Sequence, residues 1–594
     1  LHLAKFLELT GYADYEALHR WSVNEPGEFW SAFRRFAALP EEGECFNFAE
    51  LMLRHCSGEP ALLYRDEAGV ELSWSGEDLK RAVGVYARLL RGRGIVAGDR
   101  IAAVLPNRPE TIALMLATAS IGAVWSSCSP DFGAQGIIDR FAQLGPRLLF
   151  ATGEYQFGGK TFLLRERLAE VVAAMPSVEG LLLAEEIAIE GEAEIEFERL
   201  GGEHPLFILF SSGTTGLPKC IVHSAGGTLV QIVKEQMLHV DLQKGERLFY
   251  YTTCGWMMWN WLAVGLVSGA CLVLYNGSPL YPDAGVLWRM AERDGIAHFG
   301  TSAKYLALLE KQGYRPVGQH RLESLRQVLS TGSPLLPGSF DFVWRDVKPG
   351  VHLASISGGT DIISCFVLGN PLGEVTRGEI QAAGLGMDVQ VWNAEGRRVW
   401  DEAGDLVCVN RFPSMPLGFW NDASGAAYHN AYFERFPGVW HHGDWAMQSS
   451  VTGGFTIYGR SDTTLNPGGI RIGTAEIYRQ VEGIEEVEEA VAVGQEWEGD
   501  VRIVLFVKLR AGERLTAELE EKIRLKLRLK ASPHHVPKKI LEVGAIPRTV
   551  SGKISEAAVR DAIHGRVSKN LNALANPESI KEFEARPELL HDKS

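Results

Sequence analysis

The chain has 594 residues, of which 46% are hydrophobic and 22% charged, and a formal net charge of −15. That profile belongs to a globular protein with enough core for several domains, and its acidity argues against nucleic acid or an anionic membrane as partner, since both need a basic footprint. Its eight cysteines include no C-x-x-C pair, so they form neither a zinc cage nor a disulfide framework, and a reducing cytoplasm is the expected compartment.

In chain order, residues 1–60 read as a helical extension. Its opening "LHLAKFLELTGYADYEALHRW" mixes acidic groups with amphipathic spacing and lacks the basic and apolar zones of a secretory signal, so no export is expected. Short apolar runs then alternate with helical stretches: "DRIAAVLP" before "ETIALMLATASIGA", then "RLLFAT", "EGLLLAEE" and "LFILFSS". Such alternation predicts an α/β body with largely parallel sheets, whose ligands gather where strands end.

After the strand "LFILF" comes "SSGTTGLPK", residues 211–219. Glycines let backbone N–H groups approach an anion, the hydroxyls of Ser211, Ser212, Thr214 and Thr215 donate further, and Lys219 adds a charge, so a phosphate is one reading. An ordinary turn is the other. The loop is not a P-loop, because Gly213 and Gly216 are only three apart and Lys219 follows Pro218.

Residues 248–282 carry no charge. A membrane span needs about 20 predominantly apolar residues, and the cleanest piece here, 261–275, is shorter and holds glycines and a serine. It reads as a core helix followed by the buried strand "ACLVLY", with no stable membrane insertion. "IAHFGTS", "RQVLSTGS" and "VHLASISGG" continue the strand pattern, and "STGS" and "SISGGTD" are expected to meet "SSGTTG" in one crevice.

Between about 400 and 460 the texture turns to Gly, Trp and Asn, as short antiparallel strands require. Next comes a compact block: helix "TAEIYRQVE", strands "VEEAVAVGQ" and "RIVLFVKL", the basic helix "AELEEKIRLKLRLK", strand "KKILEVGAIP" and loop "RTVSGKIS". It reads as a separate small α+β domain, so we expect a large domain over 1–461 and a small one over 462–594. The basic helix carries a balancing "AELEE" and reads as a solvated face, and the tail "EARPELLHDKS" reads as frayed. His441, His442, His534 and His535 are adjacent pairs without the spacing of a metal site.

Four pieces stand in a fixed order: "SSGTTGLPK", "SGGTD" (357–361), "GDWA" with "YGRSD" (443–446 and 458–462), and "PRTVSGK" (547–553). With "NPGGIRIGTAEIY" between the last two, the chain resembles the adenylate-forming acyl-CoA synthetase superfamily over almost its whole length. "YYTTCGWMMWNW", "SISGGTDIISCFVLGNP" and "YEALHRWSVNEPGEFW" look like the subgroup that activates acetoacetate. The resemblance implies an ATP-dependent adenylation of acetoacetate with loss of pyrophosphate, followed by thioester formation with coenzyme A. The fold it implies is a large α/β domain of mostly parallel, helix-flanked sheets with a β-rich subdomain and a small mobile domain.

The resemblance also assigns roles. Ser211, Ser212, Gly213, Thr214, Thr215, Gly216 and Lys219 match the loop around the triphosphate, and Gly359 and Thr360 match the segment near the α-phosphate. Asp361 falls where many relatives carry a glutamate that binds Mg²⁺. Asp444 and Arg460 match the groups on the ribose, and Arg471 the arginine on the α-phosphate. Asp462 matches the hinge, and Gly468 and Gly469 the bare wall beside the pantetheine arm. Lys553 matches the lysine that the small domain inserts during adenylation. Trp256 and Gly358 are expected in the acid pocket. Acetyl-CoA synthetases carry tryptophan at the position of Gly358, so glycine there implies room for a longer acid. Cys220 reads as a small buried residue. The alternatives are another short or medium chain acid, or a non-catalytic nucleotide- or acyl-binding relative, although a pure binder has no need of Lys553.

Overall fold

The computed structural model describes residues 1–191, 194–211, 217–463, 465, 467, 472–497, 500–530, 533–549, 552–566, 571 and 574–590, without the side chains of 462, 500 and 534. The apolar runs of the sequence become the inner strands of two seven-stranded sheets. One runs His352–Ser355, Gln327–Thr331, His298–Ser302, Arg247–Tyr250, Cys271–Asn276, Pro60–Asp66 and Glu71–Ser75, all parallel but for the last strand. The other runs Gly418–Phe419, Lys219–Ser224, Pro205–Ser211, Val124–Cys128, Arg100–Val104, Leu148–Ala151 and Gly180–Leu183. Here the first two pairings are antiparallel and the rest parallel. Strands buried on both faces explain why these runs are continuous and do not alternate.

The helix Pro109–Ile121 lies between the sheets, buried on all sides. It starts with proline in its first turn and ends at Gly122, whose φ of 79° is the left-handed stop that glycine supplies. The uncharged stretch becomes the wholly buried helix Met257–Val264 and the strand Cys271–Asn276, as expected. Among the described residues no helix is long and apolar enough to cross a membrane.

Four helices occupy the N-terminal extension, and Leu3, Phe6, Phe29 and Phe33 are fully buried in the same core cluster as Trp259 and Trp261. Polar contacts fasten this extension to a later strand and the turn after it. Tyr15 Oη donates to the Ala383 carbonyl, the His19 ring meets the Met387 carbonyl at 3.0 Å, and Gly386 N donates to Ser22 Oγ at 2.8 Å.

The region with the changed texture forms an antiparallel sheet of Val389–Trp392, Ala403–Cys408, Trp440–Gln448 and Phe455–Arg460. Beyond it, two core clusters draw only on residues from Leu465 onward. They lie on either face of the sheet Val487–Trp497, Asp500–Leu509 and Lys539–Glu542. Helices Thr474–Val481 and Ala517–Lys530 cover one face, and Glu556–Ile563 covers the other.

The described part of the tail, 584–590, departs from the expectation that it frays, because it is held through Leu589 and continues a packed segment just before it. Ile580, Phe583 and Leu589 are buried, the Phe583 ring stands edge-on to Phe506 at 4.7 Å, and Arg502 and Gln495 donate to the Leu589 carbonyl at 2.7 and 3.1 Å. A few well-spaced apolar side chains outweigh the polar average of the segment, and residues 591–594 lie outside the described residues.

Candidate active site

The strand ends 211, 331 and 355, and Ala303 just past another strand end, border one cavity of about 1240 Å³, and the hairpin Ser357–Gly359 with Ser364–Leu368 closes its floor. "STGS" and "SISGGTD" therefore meet Ser211 and Lys219 in one crevice, where an open α/β sheet places its ligands. Ser211, Lys219, Trp256, Gly358, Gly359, Thr360, Asp361, Asp444, Arg460 and Lys553 all line it. Ser212, Gly213, Thr214, Thr215, Gly216, Gly468, Gly469 and Arg471 lie outside the described residues, as does the side chain of Asp462.

Lys219 and Asp361, far apart in sequence, form an ion pair with Nζ 2.9 Å from Oδ1. The same oxygen accepts from Tyr432 Oη and, at 3.5 Å, from Ser211 Oγ. Burial alone would raise the Asp361 pKa, but the Lys219 ammonium, His442 and these hydrogen bonds hold the carboxyl far below its usual range. Oδ2 accepts no hydrogen bond from a described residue. Beside it, His223 is buried and meets the Thr360 carbonyl at 3.0 Å, and burial pushes its pKa down to about 4. That neutral ring fixes the backbone turn that aims Thr360 and Asp361.

Asp444 and Arg460 face each other across an antiparallel pair, with Arg460 Nη1 3.2 Å from Asp444 Oδ1 and 3.0 Å from the His442 carbonyl. Asp444 is nearly buried while half of Arg460 is open to the cavity. His442 lies between this pair and the floor, 3.2 Å from the Gly358 carbonyl, and burial lowers its pKa.

Lys553 arrives from the other side, on a tight hairpin of the C-terminal region. Thr549 N donates to the Lys553 carbonyl at 2.8 Å and Lys553 N to Thr549 Oγ1 at 3.1 Å, and Gly552 turns the chain with φ of 83°. The side chain is exposed to the cavity and finds no hydrogen-bond partner among the described residues. The surrounding protein mass lowers its pKa, Asp444 and Asp361 raise it, and Arg460 lowers it, for a net decrease. The arrangement offers two lysines in one chamber, Lys219 paired with Asp361 and Lys553 in the field of Asp444 and Asp361, which suits a polyanion undergoing transfer.

One expectation changes in light of the geometry. Gly358 does line the cavity, but a Cβ built there would sit 2.1 Å from the Ser364 carbonyl oxygen and 2.5 Å from Cys365 Cα. The glycine permits close approach of two strands, so it is no socket into which an indole could be placed, and Gly358→Trp would separate the strands before it filled the pocket. Cys220 is buried as expected, and burial pushes its thiol up to about 12 despite the nearby Arg140, which makes it unreactive.

Sequence reasoning passed over Tyr432, Trp440 and His223. Tyr432 sits in "NAYFERF", where no spacing distinguishes it from a core aromatic.

A family model described as AMP-binding enzyme matches residues 49–418, and one described as AMP-binding enzyme C-terminal domain matches 480–553. The chain is similar to acetoacetyl-coenzyme A synthetase of Rhizobium meliloti, with 52% identity covering 99% of this chain and 97% of that protein. It is 42% identical to acetoacetyl-CoA synthetase of Gallus gallus, covering 97% and 94%. The solved structure of acetoacetyl-CoA synthetase from Streptomyces lividans superposes with a TM-score of 0.92 at 39% identity, covering 98% of this chain and 97% of that one.

Proposed function

Because the chain belongs to the AMP-binding enzyme family, we propose that it joins acetoacetate to coenzyme A at the expense of ATP. In the first step a carboxylate oxygen of acetoacetate attacks the α-phosphorus, the bond to pyrophosphate breaks, and acetoacetyl-AMP remains. In the second the coenzyme A sulfur attacks the acyl carbon, the bond to AMP breaks, and the thiol proton goes to solvent. Neither step needs a covalent nucleophile from the protein. Both depend on positioning and on neutralising crowded negative charge.

Ser211, the adjoining loop 212–216 and Lys219 cradle the triphosphate, Thr360 and Arg471 meet the α-phosphate, and Asp444 with Arg460 holds the ribose. Lys553 neutralises the attacking carboxylate and the bridging oxygen. Asp462 then serves as the hinge about which the small domain, 462–594, turns away, bringing Gly468 and Gly469 to the pantetheine arm. The donor set fits a Mg²⁺ ion bound mostly by substrate: Asp361 keeps one oxygen without a hydrogen bond from a described residue, and such ions take one or two carboxylates plus phosphates. When bound, the ion would supply further charge neutralisation at the phosphates.

One observation supports this reading above the others: Lys553, from the C-terminal region, opens into the chamber that holds Lys219, Asp361 and Asp444. The test is release of AMP and pyrophosphate across a panel of carboxylic acids, with and without coenzyme A. Acetoacetate should give the highest kcat/KM, and preference for a saturated short or medium chain acid would refute the substrate assignment.

A pH effect on domain closure follows. Lys304 lines the cavity beneath Gly552, and burial, Arg548 and Lys508 push its pKa down to about 8 from an ordinary 10.5, against the pull of Glu489. Arg548, Lys508 and Glu489 belong to the small domain, so the part of the shift that they cause exists only while the domains are closed. Between those two pH values the closed state binds fewer protons than the open one, so closure strengthens as pH rises from about 8 toward 10.5 and is independent of pH well below 8. The yield of an interdomain cross-link between cysteines placed at exposed sites on the two domains should rise over that range, and Lys304→Met should flatten the profile.

A further inference from the structure

Asp361 Oδ1 is unusual in how many donors it holds at once, and the donor that no role yet covers is Tyr432. This tyrosine is the last residue of the helix Ala426–Tyr432. Its ring stacks on Trp440 with centroids 3.9 Å apart and planes 13° from parallel, while Phe419 and Tyr428 meet it edge-on at 5.8 and 5.3 Å. An aromatic cluster on three sides leaves the ring one orientation, and that orientation delivers Oη to Asp361 Oδ1. Burial and the Asp361 charge push the phenol pKa well above its ordinary value, so the group stays a donor. The ring also serves Lys219, whose ammonium lies 5.1 Å from its centroid and 5.8 Å from that of Phe419.

We propose that Tyr432, held by Trp440, is a positioning residue that keeps the Asp361 carboxylate satisfied while Lys219 passes from it to the phosphates of ATP. The proposal rests on the reading of this cavity as a nucleotide site. Lys219 cannot serve Asp361 and a phosphate equally, and a buried carboxylate abandoned by the cation paired with it is costly. With Oη in place, Oδ1 keeps a hydrogen bond after the ammonium leaves. Without it, Asp361 depends on Lys219 and the distant Ser211 hydroxyl, so the ammonium is harder to draw away and ATP binds more weakly.

Tyr432→Phe keeps the stacked ring and removes only the hydroxyl. Calorimetry with ATP and Mg²⁺, in the absence of any acid, should show about tenfold weaker binding, the scale of one hydrogen bond to a charged acceptor. In pyrophosphate exchange the KM for ATP should rise by a similar factor while that for acetoacetate stays within about twofold. In an Asp361→Asn background the same replacement should change ATP affinity by less than about twofold, because the charge it supports is gone. Unchanged ATP affinity in Tyr432→Phe, equal increases in both KM values, or full additivity with Asp361→Asn would each overturn the proposal. Wild-type protein that binds ATP yet ignores acetoacetate would instead refute the substrate assignment and leave the Tyr432 comparison standing.

Discussion

Lys553→Ala should lower acetoacetate-dependent exchange of pyrophosphate into ATP by at least about a hundredfold, the range seen when a positioned charge-stabilising group is removed, and leave thioester formation from supplied acetoacetyl-AMP within about fivefold. The asymmetry follows from where the lysine sits. Its ammonium makes no hydrogen bond to a described residue and is felt by both Asp361 and Asp444, so it is a second lysine cation in the chamber beside Lys219. Adenylation brings a carboxylate and a triphosphate together, and without this cation their repulsion falls on the transition state. The second step starts from an acyl adenylate, which has already lost pyrophosphate and so needs less charge neutralised. Isotope exchange reads the first step and single-turnover mixing of acetoacetyl-AMP with coenzyme A reads the second. Undiminished exchange would remove Lys553 from the reaction, and equal loss in both steps would make its role structural.

A second large effect is expected from a residue that touches no substrate. Glu235 is buried behind the floor of the cavity, where its carboxylate accepts from Ser364 Oγ, from Cys365 N at 3.0 Å and from Trp261 Nε1 at 2.9 Å. It thereby anchors the start of the strand Ser364–Leu368, which pairs with the strand that carries Gly358. Its neighbour Lys234 is fully buried, and its ammonium makes no hydrogen bond to a described residue. Burial pulls the Lys234 pKa down and the Glu235 pKa up, while attraction between the two opposes both shifts. Glu235→Ala strands that cation and three donors, which costs about 3–5 kcal/mol. The urea midpoint should fall accordingly, with soluble yield falling alongside. Adding Lys234→Met to Glu235→Gln removes both charges and keeps an acceptor for the strand, so this double variant should recover most of the loss. A Glu235→Ala protein as stable as the parent would show that the charge is not held as described.

Much of this architecture could be read from residues alone, for identifiable reasons. Runs such as "LFILFSS" and "CLVLYN" are buried on both faces, so their apolarity is continuous and they stand out as strands. The loops after them carry their chemistry in adjacent residues, which makes "SSGTTGLPK", "SGGTD" and "PRTVSGK" legible as units. What escaped depends on direction or on distant partners. That Gly358 points its missing side chain at Ser364 is a property of a Cβ vector, and one sequence does not contain it. Tyr432 acquires its place from Trp440 and Asp361, neither of which lies within one turn of it. In the tail the polar composition hides Leu589, whereas packing acts on that one side chain.

The N-terminal helices have a practical meaning. The family model begins at residue 49, which invites treating everything earlier as a dispensable leader. Phe6, Phe29 and Phe33 share the interior with Trp259 and Trp261, and Ser22 and Tyr15 brace the residues around 383–386. A fragment cut at the recognised boundary would carry a raw greasy face where those helices had been, and clumping would follow before any question of turnover arose.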